Sequence, residues 1–158
     1  MSSHTDTPTT EVREEGIALP PPLADRVGFL VAKAHAVCHA KGNETLAPMG
    51  LHIKEYAGLN VLNATGPLSQ QALGETLGVD RTTMVAVIDE LERKGLVERR
   101  RNPADRRAYA LALTDEGGST LRRARRLLNA AERALLEPFS PAEADQLRDL
   151  LRRLILQQ

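Results

Sequence analysis

Leu68-Ser69-Gln70-Gln71-Ala72-Leu73-Gly74-Glu75-Thr76-Leu77, then Gly78-Val79-Asp80, then Arg81-Thr82-Thr83-Met84-Val85-Ala86-Val87-Ile88-Asp89-Glu90-Leu91-Glu92-Arg93-Lys94 and Gly95, is the stretch that decides the fold. Ser69 is a residue type that caps a helix N-terminus, and Asp80 is another. The first run therefore reads as a short helix, Gly78-Val79-Asp80 as a tight turn, and the second run as a helix that Gly95 closes. Two short helices joined by about three residues including a glycine are the sequence form of a helix-turn-helix.

Past Gly95 the hydrophobic period changes from that of a helix to that of a strand. Leu96–Arg101 and Tyr109–Leu113 read as two strands, with Tyr109, Leu111 and Leu113 expected on one face. The polar loop Asn102-Pro103-Ala104-Asp105-Arg106-Arg107-Ala108 between them is too long for a tight hairpin. A basic loop on a β-ribbon that follows a helix-turn-helix is a wing.

Helices are expected on both sides. Upstream, Leu23, Val27, Leu30, Ala34 and Val37 form one apolar stripe, and Gly42-Asn43 supply a stop signal. A second helix is expected from about Pro48, burying Leu51, Tyr56, Leu59 and Leu62 before Gly66-Pro67. Downstream, Thr114 with Asp115 and Glu116 opens a long helix that Pro138 stops. Ser140-Pro141-Ala142-Glu143 is a capping box for a last helix carrying Leu147, Leu150, Leu151, Leu154 and Ile155. Unless it folds back on its own core, so broad an apolar side at a chain end calls for a partner, and dimerisation is inferred. The expected fold is mainly α with a small β-wing. Its parts are an N-terminal arm over 1–22 rich in Ser, Thr, Pro and acidic residues, an N-terminal dimerisation helix over 23–47, a winged helix-turn-helix over 48–113 and C-terminal dimerisation helices over 114–158.

The chain has 158 residues and a formal net charge of zero, but the charge is unevenly placed. Residues 1–79 carry 5 basic and 8 acidic side chains, whereas 93–107 carry 7 basic and 2 acidic. A local basic patch is the electrostatic footprint of a polyanion-binding surface. Aromatic residues are few, which favours packed helices. No stretch is long and apolar enough to span a bilayer, the start lacks the pattern of a signal peptide, and the single cysteine, Cys38, rules out an internal disulfide. A cytoplasmic protein on the bacterial nucleoid is expected. There is no phosphate-cradling glycine loop, no zinc-hydrolase signature and no nucleophile with an evident base, so an enzyme has no support.

The run from Leu68 to Gly117 resembles the MarR family of bacterial transcription regulators, in Leu73-Gly74-Glu75-Thr76-Leu77-Gly78-Val79, in Leu91-Glu92-Arg93-Lys94-Gly95-Leu96-Val97, in the wing residues Asp105-Arg106-Arg107-Ala108 and in Leu113-Thr114-Asp115-Glu116-Gly117. The resemblance implies a homodimer whose terminal helices interlock, with two lobes reaching a pseudo-palindromic operator. It also implies a repressor that releases DNA on binding a small aromatic or anionic effector. A protein that coats DNA with little sequence preference is the alternative.

The DNA-facing residues follow from how a helix enters the major groove: its N-terminal side chains meet base edges, while hydroxyls and helix N-termini meet phosphates. Arg81 is the candidate for a guanine, Thr82 and Thr83 for phosphate or a thymine methyl, and Ser69 for phosphate. Where this chain has Ala86, some members of the family carry arginine, which shifts base reading towards Arg81 and DNA shape. By the resemblance, Arg107 enters the minor groove with Asp105 holding its guanidinium, and Arg106 meets phosphate. Arg99, Arg100 and Arg101 alternate across a strand, so only some can face DNA, and Arg99 and Arg101 share a face. Arg122, Arg123, Arg125 and Arg126 read as a solvated face.

His35 and His39 stand four apart on the first helix, but nothing completes a metal site, and no metal or cofactor is expected. Cys38 reads as a small buried residue. For an organic effector the family points to a crevice between the first, second and long helices, with His35, His39, His52 and Tyr56 as candidates.

Overall fold

The computed structural model describes residues 19–101 and 109–157, which fall into two compact units divided between Ala36 and Val37. In the first unit, a turn over Pro21–Asp25 leads into the beginning of helix α1 (Val27–Leu46). The expected arm over 1–22 lies outside the described residues as far as residue 18.

The second unit carries the rest: α2 (Ile53–Thr65), α3 (Gln70–Leu77), α4 (Arg81–Arg93), strands β1 (Val97–Arg101) and β2 (Tyr109–Leu113), α5 (Asp115–Leu135) and α6 (Pro141–Leu156). The caps fall on the expected residues. Ser69 Oγ accepts from Ala72 N–H at 3.1 Å, Asp80 Oδ1 from Thr83 N–H at 2.9 Å and Thr114 Oγ1 from Gly117 N–H at 2.9 Å. Ser140 and Glu143 complete a reciprocal capping box. Gly78 takes φ +62, the left-handed conformation that lets the chain turn sharply between α3 and α4.

The start of the chain departs from expectation at two points. The first helix does not stop at Gly42-Asn43; it runs to Leu46, and Pro48 sits in a short 3-10 turn, Ala47–Met49, rather than opening α2. The reason is tertiary. A Cβ on Gly42 would lie 2.9 Å from Ile53 Cδ1, and Asn43 Oδ1 accepts the Ile53 N–H at 2.8 Å. These two residues serve as a docking point for α2 instead of ending a helix. The α2 cap is His52, whose N–H donates to Glu55 Oε2 at 2.7 Å.

The core joins Leu46, Leu51, Leu59 and Leu62 to Leu73, Met84, Ile88 and Leu91, with Leu111 from the ribbon and Leu121 and Ala124 from α5. Strands β1 and β2 pair antiparallel with Val97 opposite Leu113 and Arg101 opposite Tyr109. Leu68 adds a bridge on the other edge of β2, exchanging two backbone hydrogen bonds with Leu111. Ala110, Leu111 and Ala112 are all buried, while Tyr109 is exposed at the ribbon end. Gly117 fits where α5 begins because a Cβ there would lie 2.0 Å from Leu96 O.

On α5, Arg122, Arg123 and Arg126 are exposed, but Arg125 is half-buried and donates from Nε and Nη2 to Asn60 Oδ1 of α2, at 2.9 and 2.7 Å. Cys38 is exposed in the monomer, not buried. On α6, only Ala144 is buried; Leu147, Leu150, Leu151, Leu154 and Ile155 are bare. No helix among the described residues is long and apolar enough to cross a membrane.

Candidate nucleic-acid interface

Helix α4 is built with two sides. Met84, Ile88 and Leu91 are fully buried, and Val87 packs half-buried beside them. Arg81, Thr82, Val85, Ala86 and Asp89 are exposed, and their spacing of one, three, one and three residues aligns them in one stripe along the helix. The core thus clamps one side of α4 and holds the other towards solvent.

Beside this stripe, α3 and α4 enclose an open groove of about 900 Å³ lined by Ser69, Gln70, Gln71, Gly78 and Arg81 among others. Ser69 and Arg81, both singled out from the sequence, are thereby brought to one surface. Arg81 is exposed and makes no ion pair with a described residue. Thr82 is exposed too. Thr83 is differently placed: its hydroxyl donates to Asp80 Oδ2 at 2.6 Å, so its proton is committed within the chain. That bond and the Thr83 N–H hold the Asp80 carboxyl below its ordinary pKa, which keeps the cap ionised.

The strand arginines separate as alternation requires. Arg99 turns towards α4, its Nε 3.1 and 3.0 Å from the two carboxylate oxygens of Glu92, with Asp89 3.8 Å from Nη2. Arg100 pairs with Glu98 on the opposite face. Arg101 is exposed, without an ion pair to a described residue. Asp105, Arg106 and Arg107 lie outside the described residues.

A second cavity, of about 380 Å³, opens between the end of α1, the start of α2 and α4. His39 and His52 line it together with Asn43, Thr83, Val87 and Glu90. The crevice expected from the sequence included the long helix; here α4 takes that place. Tyr56 is half-buried against the core outside this lining, and His35 belongs to the first unit. Asn43 Nδ2 and His39 Nδ1 are 3.2 Å apart. Among the described residues no His, Cys, Asp or Glu side chains gather as a metal-binding set.

One group that the sequence did not single out is Glu55. Its side chain is 3% exposed, and both of its carboxylate oxygens accept from Lys94 Nζ, at 2.7 and 2.9 Å. The same ammonium donates to Gly50 O. The end of α4 is thus tied to the start of α2 across 39 residues of sequence. Glu55 occupies the third helical position after His52, and this capping acid was the available signal.

The MarR family model matches residues 51–109, the stretch from α2 to the start of β2. A Thauera aromatica protein described as a transcriptional regulatory protein for the hcr operon is 37% identical over 136 residues, covering 85% of this chain and 82% of its own length. The chain belongs to the MarR family. Among solved structures of transcription regulators, the repressor CouR bound to a 23-mer DNA duplex superposes with a TM-score of 0.80 at 30% identity, over 89% of this chain and 99% of that one. CouR from Rhodococcus jostii bound to p-coumaroyl-CoA gives 0.74 at 30% identity, over 85% and 95%. In this MarR-family regulator the helix-turn-helix and the first wing strand fall in the matched segment, and most of β2 and the terminal helices lie beyond it.

Proposed function

We propose that this regulator is a dimeric, ligand-responsive repressor, not an enzyme, that binds a pseudo-palindromic operator in the cytoplasm, at the nucleoid. The observation that carries this reading is the two-sided α4: a helix held by its core face presents an exposed stripe headed by Arg81 and Thr82, beside the Ser69-capped start of α3. A helix so mounted enters a major groove, where the Arg81 fork meets the two acceptors of guanine and Ser69 and Thr82 meet phosphates. The similarity to CouR on a DNA duplex supports it. In this reading 48–113 is the DNA-reading lobe, Arg101 and Arg106 add phosphate contacts, and Arg107, oriented by Asp105, reaches the minor groove. Arg99 has to leave Glu92 before it can join them. The helices of 23–47 and 114–158 join two copies, which covers the bare face of α6.

The effector of this reading occupies the second cavity. Its volume falls within the range of small-molecule sites, about 300–1,000 Å³. His39 and His52 supply polar contacts for an anionic or aromatic compound, the class to which the p-coumaroyl group of the CouR ligand belongs. Because Thr83, Ala86, Val87 and Glu90 of α4 form one wall, occupancy presses directly on the DNA-reading helix.

Selection of bound fragments from random duplex DNA, followed by titrations of the parent, Arg81→Ala and Arg107→Ala at several salt concentrations, tests the proposal. The expected result is an inverted repeat with half-sites about one helical turn, roughly 34–36 Å, apart. Loss of the Arg81 fork should weaken binding by about 1–3 kcal/mol and relax selection at one position per half-site. No enriched sequence, with binding that is uniformly steep in salt, would replace the repressor by a DNA-coating protein.

A further inference from the structure

Of the large hydrophobic side chains described between Leu51 and Leu113, only Val85 and Tyr109 are exposed. Tyr109 stands at the end of the ribbon. Val85, 37% exposed, lies on the outward stripe of α4, one turn after Arg81 and Thr82 and one turn before Asp89, with Ala86 beside it. Nothing in the fold accounts for a valine there. The core is filled from the other side by Met84, Ile88 and Leu91. A β-branched residue is a poorer helix former than alanine or a long polar residue, so an exposed valine does not serve the helix either.

We propose that Val85, with the methyl of Ala86, reads the C5-methyl group of a thymine in each half-site; this rests on the reading of α4 as the helix that enters the major groove. The chemistry of that groove narrows the choice. Its floor offers hydrogen-bond donors and acceptors and one apolar group, the thymine methyl. The apolar spot on α4 is small, one valine and one alanine, bounded on both sides by polar or charged residues. That is the scale of a single methyl, and too little for docking another protein, whose anchoring residues sit in larger apolar clusters. With Ala86 too short to hydrogen-bond a base, Val85 and Ala86 give this lobe a contact that arginine at residue 86 would not. At about 1.5 Å of rise per residue, Val85 lies roughly 6 Å further along α4 than Arg81, about two base-pair steps. The methyl is therefore placed about two base pairs from the guanine that Arg81 reads.

The test starts from the operator recovered by selection. Each thymine is replaced in turn by uracil, which keeps its hydrogen bonds and lacks the methyl, and binding is measured with the parent and with Val85→Ala. Val85 is exposed and alanine favours the helix, so the variant keeps the fold. The expected result is one thymine per half-site at which uracil weakens the parent about fourfold, the worth of one buried methyl, while Val85→Ala binds both versions equally. If the parent selects a defined operator but no uracil weakens it, or the loss is the same in Val85→Ala, the inference is overturned and the repressor reading stands. If no operator is selected at all, the repressor reading fails and takes the inference with it.

Discussion

Helices α4 and α6 are both amphipathic, yet one has its apolar side sealed by its own chain and the other does not. Met84, Ile88 and Leu91 of α4 are at most 1% exposed, whereas Leu147, Leu150, Leu151, Leu154 and Ile155 of α6 are 38–68% exposed. In the proposed reading, the DNA-reading helix is thus fixed within one monomer, and the bare face of α6 is left for a second copy. On that reading, folding of the lobe and pairing of the chains use different apolar surfaces, so a change on one helix should leave the other's task intact.

The largest effect should come from breaking that separation at α6. Leu150→Glu with Leu154→Glu places two charges on the bare face, and the protein should sediment as a monomer. The lobe, whose core contains neither residue, should keep its helical circular dichroism. A monomer reads one half-site only, and the lost bivalency should weaken operator binding by on the order of 100-fold or more. A protein that remains dimeric would show that the bare face of α6 is not the contact between copies.

Next in size is the mirror experiment on α4. Leu91→Ala should cost about 2–5 kcal/mol of stability, because a fully buried side chain leaves a cavity. The comparison sharpens with concentration: the penalty of Leu91→Ala should not change with protein concentration once the lobe is studied in the monomeric α6 variant. The cost of Leu151→Ala in the dimeric parent should instead grow with concentration towards a plateau, since pairing adds to stability by mass action. Urea melts at several concentrations distinguish the two.

The polar anchor of α4 should come third. Lys94→Met leaves Glu55 buried without its ammonium, and the expected loss is about 3 kcal/mol. Adding Glu55→Gln to the same protein should restore part of it, because the uncompensated charge is then gone. Urea denaturation of the four proteins of this double-mutant cycle measures the coupling; additive losses would mean that the pair does not act as a unit.

The reach of the sequence follows the same division between local and distant causes. The ends of α3, α4, α5 and α6 were legible because each rests on a cap a few residues away, as at Ser69, Asp80, Thr114 and Ser140. Gly42 misled, since a glycine that ends a helix and one that admits Ile53 look alike until the partner helix is in place. Glu55 with Lys94, and Arg99 with Glu92, are contacts between elements, with no short-range pattern to announce them. Cys38 was expected inside because it adjoins an apolar stripe, but α1 of a single chain leaves it exposed. On the proposed interface, the exposure of Arg81 and Thr82 and the placing of Ser69 beside Arg81 followed from the geometry of a helix N-terminus. The removal of the Thr83 proton by Asp80, and the isolation of Val85 from the core, emerged only from side-chain positions.

The smallest expected effect lies on the surface of α4, and it asks whether charge adds anything to a helix already held by its core. Glu90 is held at about 2, well below its ordinary 4.5, first by the hydrogen bond from Arg93 and then by that from Lys94. A carboxylate whose folded pKa is depressed contributes stability that is full above its unfolded pKa and is lost as pH falls towards the folded one. Glu90→Gln should therefore melt below the parent by a constant margin from pH 7 down to about 5, and the margin should close between 4.5 and about 2. The group is solvent-exposed, so the margin should be small and should also narrow with added salt. Melting curves at pH 7, 5 and 3.5, at low and high salt, measure it. A margin that does not change with either variable would assign the role of Glu90 to helix packing instead of charge.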